Sequence, residues 1–119
     1  MSKILVVDDS KTMQESIQFF LEENDYEVKT ANNGQEGLDA SNADKYDLII
    51  TDINMPVMDG ITFIQEVRKT VNGKFVPILV LTTESQGSMI NKGKEAGATG
   101  WIVKPFQKDK LIKAVKKVL

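Results

Sequence analysis

Ile4-Leu5-Val6-Val7-Asp8-Asp9 and Leu48-Ile49-Ile50-Thr51-Asp52 decide the fold. Each is a short apolar run that stops on carboxylates. Such runs, bounded by turn residues, read as strands buried on both faces, the mark of a parallel sheet. Two more follow: Ile78-Leu79-Val80-Leu81 stops at the Thr82 hydroxyl, and Trp101-Ile102-Val103 stops at Lys104. In an open parallel sheet, reactive groups lie beyond the carboxyl ends of the strands. Three aspartates, a hydroxyl and an ammonium are therefore expected along one edge.

Outward from these runs, strand and helix patterns alternate from end to end. The expected strands are Lys3 to Val7, Glu27 to Ala31, Asp47 to Thr51, Pro77 to Thr82 and Thr99 to Val103. Ser10 is the expected N-cap of a first helix with Met13, Ile17, Phe20 and Leu21 at helical spacing. Asn32-Asn33-Gly34 is a turn signal, and a second helix runs from Gly34 to Ser41. A loop with Pro56 and Asp59-Gly60 leads to a third helix, whose apolar face is Ile61, Phe63, Ile64 and Val67. The fourth helix, Ser85 to Ala96, carries glycines at 87 and 93 and is followed by Gly97. Each glycine lowers helix propensity by about 1 kcal/mol against alanine. The fifth runs from Lys108 to Val118, with Leu111, Ile112, Val115 and Val118 toward the sheet. Alternating βα units with right-handed crossovers give a doubly wound α/β fold. Five units match a flavodoxin-like sheet of order 2-1-3-4-5, whose switch point falls between Asp8-Asp9 and Asp52.

At 119 residues the chain fits a single domain, 1–119. It has no cysteine and no histidine. Disulfides, thiolate nucleophiles, histidine bases and the usual zinc sites are excluded. A metal must be held by oxygen, which selects magnesium, manganese or calcium. The net charge of −2 argues against a nucleic-acid scaffold. The late lysines, Lys104, Lys108, Lys110, Lys113, Lys116 and Lys117, read as a solvated helix face whose cations suit a helix C-terminus. No apolar stretch approaches the ~18 residues of a membrane span. The N-terminus enters a strand at once, so no signal peptide is expected and the localisation expected is cytoplasmic.

Carboxylates crowded in one pocket repel and raise each other's pKa, and a divalent cation removes the conflict. Magnesium takes one or two carboxylates and keeps several waters. Asp9 and Asp52 are the expected direct ligands, Asp8 a ligand through water, and the Asn54 carbonyl a further ligand. Capping alone would account for Asp8-Asp9-Ser10, and a turn alone for Asp52. Their joint occurrence with Thr82 and Lys104 is what favours a site. Asp52 is also a candidate nucleophile, since a carboxylate can attack phosphorus to form an aspartyl phosphate. Catalysis of phosphoryl transfer is mainly positioning plus cations. Lys104 supplies one, and Thr82 a hydrogen bond to a phosphoryl oxygen. A cis bond before Pro105 would aim Lys104 into the cleft.

Five ordered fragments resemble the receiver domain of two-component response regulators: Ile4 to Ser10, Asp52 to Gly60, Leu81 to Glu84, Glu95 to Trp101, and Lys104-Pro105-Phe106. The whole is similar to a stand-alone receiver of the chemotaxis CheY type. The resemblance implies that Asp52 is the phosphoacceptor, charged by a sensor histidine kinase. It implies that Asp8, Asp9 and the Asn54 carbonyl help bind Mg2+ (or Mn2+), that Thr82 is the switch hydroxyl, and that Lys104 contacts the phosphate. It implies a cis bond at Pro105. Trp101 stands where the family has a switch aromatic that moves inward on activation, and the ordinary alternative is a partly buried aromatic. Asn54 and Glu84 stand at positions that tune dephosphorylation, and Thr83 replaces a small residue beside them. Partners implied are the kinase, a downstream target such as the flagellar motor switch, and a phosphatase, with no nucleic acid and the protein itself a monomer. The only enzymatic activity expected is self-catalysed phosphoryl transfer and autodephosphorylation. A non-motility pathway or phosphorelay is the alternative output. A metal-dependent aspartyl phosphatase is disfavoured because Asp8-Asp9-Ser10 lacks an acid two residues past the nucleophile. A flavodoxin-like carrier is disfavoured because Asp8-Asp9 would repel a cofactor phosphate. A scaffold that never cycles phosphate is disfavoured by the intact set of functional positions.

Overall fold

The computed structural model describes residues 1–119, in which strand and helix alternate throughout. The order is β1 (Lys3–Val7), α1 (Lys11–Glu22), β2 (Glu27–Ala31), α2 (Gly34–Ala43), β3 (Leu48–Thr51), α3 (Gly60–Arg68), β4 (Ile78–Thr82), α4 (Gly87–Ala96), β5 (Gly100–Val103) and α5 (Lys108–Val118). All strands are parallel, in the order β2-β1-β3-β4-β5. The expected topology is the observed one.

Alternation along the central strands divides the core in two. Ile4 and Val6 face one side with Leu48 and Ile50, where Ile17 and Leu21 of α1 and Leu111 and Val115 of α5 cover them. Leu5 and Val7 face the other with Ile49, Ile78 and Val80, under Phe63, Ile64 and Val67 of α3. β1, β3 and β4 are thus buried on both faces, which is why their sequences are unbroken apolar runs.

Several boundaries shift by one or two residues. β4 starts at Ile78 rather than Pro77, whose nitrogen has no hydrogen to give a ladder. α4 begins at Gly87, not Ser85, and its N-cap, Gln86, makes no side-chain capping bond. α1, α2 and α3 begin under side-chain caps from Ser10, Asn33 and Asp59. α4 ends at Gly97, whose φ of +117° is a left-handed cap that glycine adopts without steric cost.

Candidate functional site

Register places the chemistry. Val7 pairs with Thr51, so Asp8 and Asp52 leave their strands side by side. Thr82 pairs with Val103, so Lys104 is the next residue beyond it. The carboxyl ends of β1, β3, β4 and β5 therefore deliver Asp8, Asp52, Thr82 and Lys104 to one edge.

Asp8 is 2% exposed and has both carboxylate oxygens engaged. Its Oδ1 accepts from the Ser10 N–H at 2.9 Å and its Oδ2 from Lys104 Nζ at 2.9 Å. Lys104 Nζ also donates to Asp52 Oδ2 at 3.1 Å. Asp52 Oδ1 accepts from the Ile53 N–H at 2.6 Å. Asp9 is exposed at the rim. Carboxylate oxygens of Asp8, Asp9 and Asp52 lie within 4.8 Å of one another. The Lys104–Pro105 peptide is cis.

Charge is unevenly balanced here. Burial pushes the Asp8 carboxyl above its ordinary range, and neither the Ser10 N–H nor Lys104 brings it back, while Asp52 adds repulsion. Burial also works against the Lys104 charge, but Asp8 and Asp52 outweigh it and hold the ammonium above the ordinary lysine value. One ammonium is thus well served by two carboxylates, whereas Asp8 is left under-compensated. A second cation on an all-oxygen donor set meets that need, which is the chemistry of magnesium. The residues present fit such an ion.

Thr82 is fully buried, and its Oγ1 accepts from the Glu84 N–H at 3.3 Å. The Glu84 carboxylate accepts from Asn54 Nδ2 at 3.1 Å, bridging the loops that follow β4 and β3. Trp101 Nε1 donates to the Glu84 carbonyl at 2.9 Å. Thr83 points to solvent beside them. The expected site residues therefore fall on one face. The Asp8-Asp9-Ser10 turn caps as well: Ser10 Oγ accepts from the Met13 N–H at 3.2 Å.

Sequence reasoning missed Gln14. It is 2% exposed, and its Nε2 donates to the carbonyls of Asp8 and Ala31 and to Asn32 Oδ1. It pins the Asp8 backbone to the end of β2. The signal was available: Gln14, Ile17 and Leu21 share one buried stripe of α1, so a polar residue there needs a partner.

The comparisons agree with this geometry. Residues 4–116 match the family model described as response regulator receiver domain. The chain is 37% identical to Response regulator MprA of Mycolicibacterium vanbaalenii over 98% of this chain and 50% of that protein. It is 38% identical to the Transcriptional regulatory protein CpxR homolog of Haemophilus influenzae, over 100% of this chain and 51% of that protein. The chain spans about half the length of these curated relatives. Among solved structures, Vibrio cholerae chemotaxis protein CheY4 is 44% identical with a TM-score of 0.96, covering 100% of this chain and 99% of that one. The receiver domain of sensor histidine kinase PA1611 from Pseudomonas aeruginosa is 28% identical with a TM-score of 0.91, over 98% of this chain and 95% of that one. It is described with a magnesium ion coordinated in the active site cleft. By its family match, its sheet order and the residues at the carboxyl edge of that sheet, this chain belongs to the response regulator receiver domain family.

Proposed function

We propose that this protein is a phosphorylation-activated signalling switch whose phosphoacceptor is Asp52. The observation that carries the reading is that Asp52 faces the Lys104 ammonium beside the carboxylates of Asp8 and Asp9 and, with its side chain 13% exposed against 2% for Asp8, is the more accessible of the two aspartates that Lys104 holds. An oxygen of Asp52 attacks phosphorus, an O–P bond forms, and the bond to the donor breaks. Lys104, already within hydrogen-bond distance, neutralises the oxygens of the transferring group. The Thr82 hydroxyl donates to one phosphoryl oxygen while still accepting from Glu84, since a hydroxyl has one donor and two acceptor sites. Asp8, Asp9, Asp52 and the Asn54 carbonyl would hold magnesium or manganese. The ion, when bound, supplies the second cation that the phosphoryl charge requires.

The donor is a sensor histidine kinase. The output is docking of a target whose affinity changes with phosphorylation, a population shift driven by differential contacts. The edge formed by β5 and α5 suits it, where half-buried Trp101 is flanked by Lys110 and Lys117. Likeness to CheY4 along the whole chain favours a motor-switch target. Likeness to MprA and to the CpxR homolog favours a second reading, a receiver serving transcription or a phosphorelay. Binding to a purified motor-switch protein, with and without beryllium fluoride, separates the two. Labelling by acetyl phosphate with magnesium, mapped to Asp52 and absent from Asp52→Asn, supports the acceptor. An equally labelled Asp52→Asn overturns it.

A further inference from the structure

Glu84 has three polar groups engaged by three different residues. Its N–H donates to Thr82 Oγ1 at 3.3 Å, its carbonyl accepts from Trp101 Nε1 at 2.9 Å, and its carboxylate accepts from Asn54 Nδ2 at 3.1 Å. No other side-chain hydrogen bond reaches residues 83–86, and α4 starts without a side-chain cap. The indole is itself wedged. A Cβ at Gly93 of α4 would lie 2.4 Å from Trp101 Cζ3, so the ring occupies a notch that only glycine leaves. Ring packing thus aims the N–H at Glu84. The Asn54–Glu84 bridge in turn runs from the loop after β3 to the loop after β4, the strand ends that carry Asp52 and Thr82.

Resting on the function proposed above, we infer that Trp101 is a positioning residue for the lifetime of phosphorylated Asp52. Its N–H fixes the Glu84 backbone, and Glu84 then keeps the Asn54 amide at the rim past which water reaches the acyl phosphate. In that hydrolysis a water oxygen bonds to phosphorus and the bond from phosphorus to the Asp52 oxygen breaks. Asp52 regains its carboxylate, and both water protons leave on inorganic phosphate. Phenylalanine at 101 keeps the ring face but cannot donate, so the bridge is made for a smaller share of the time.

The test is the decay of phosphorylated protein after acetyl phosphate is removed, with magnesium present. Trp101→Phe is expected to decay about three- to tenfold faster, the weight of one hydrogen bond. In a Glu84→Ala background the same change is expected to add nothing, because the residue it acts through has lost its carboxylate. A role in folding alone would move the urea midpoint without that dependence on Glu84. Gly93→Ala gives a second arm: it keeps the indole but pushes on its edge, and it should also speed decay only when Glu84 is present. Unchanged decay in both variants, or equal acceleration with and without Glu84, overturns the inference. Wild-type protein that takes no phosphoryl group overturns the proposed function itself, a distinguishable failure.

Discussion

Lys104 Nζ lies 3.1 Å from Asp52 Oδ2 while its other bond goes to the buried Asp8. One ammonium therefore joins the carboxyl ends of β1, β3 and β5. Replacing it with methionine leaves Asp8, 2% exposed, without its cation. Removing one partner of a buried pair costs about 3 kcal/mol. Lys104→Met should be destabilised by about that much in urea with chelator present, and millimolar magnesium should recover part of the loss. Equal stability of the two proteins without metal would contradict the assignment.

Asp8 gives a pH signature. Its carboxyl is raised in the folded protein, chiefly by burial. The folded state therefore binds a proton that the unfolded state has released, at pH values between the ordinary carboxylate pKa and the raised one. Across that window stability falls as pH rises. Below it both states are protonated, and above it both are charged. With metal removed, the stability of wild type relative to Asp8→Asn should decline as pH climbs through the window and stay flat on either side. Urea midpoints at a series of pH values measure it.

Gly60 is required by space. A Cβ there would lie 2.1 Å from the Asp52 carbonyl oxygen and 2.8 Å from Ile53 Cα, both backbone atoms that cannot turn aside. Gly60→Ala must push α3 away from the acceptor. The expected loss is about 2–3 kcal/mol by overpacking, with slower phosphorylation of Asp52. A urea midpoint within error of wild type would show that the loop yields freely.

Val57 is strained. The Met58 N–H donates to the Pro56 carbonyl at 2.7 Å, closing a three-residue turn whose central residue has φ +70°. A β-branched residue resists this region, and the cost is roughly 1–2 kcal/mol. Glycine removes that cost but loses about 0.5–1 kcal/mol in chain entropy. Val57→Gly should therefore match or exceed wild-type stability, by up to about 1.5 kcal/mol, although Val57 is 81% exposed and few contacts change. A clear destabilisation would contradict this reading.

β1, β3 and β4 were legible because burial on both faces leaves continuous apolar runs, and their ends pointed to the site because parallel strands finish together. What stayed hidden depends on contacts between distant segments. The start of α4 is set by the loop that Trp101 and Asn54 hold at Glu84, not by a capping residue in the local sequence. Arg68 reads as an ordinary basic residue ending α3. Its guanidinium instead donates to the carbonyls of Gly73, Val76 and Gly97, and burial lowers its pKa. It ties α3 to the end of α4, which no spacing announces. The partners of Lys104 at Asp8 and Asp52 were inferable only once the strand order was known.

The most direct test is the initial rate of phosphoryl uptake from acetyl phosphate as magnesium is titrated, read by intact mass. A hollow shared by Asp8, Asp9, Asp52 and Lys104 predicts a rate that saturates with magnesium, vanishes with chelator, and is absent in Asp52→Asn. Uptake indifferent to magnesium, or persisting in Asp52→Asn, would contradict it.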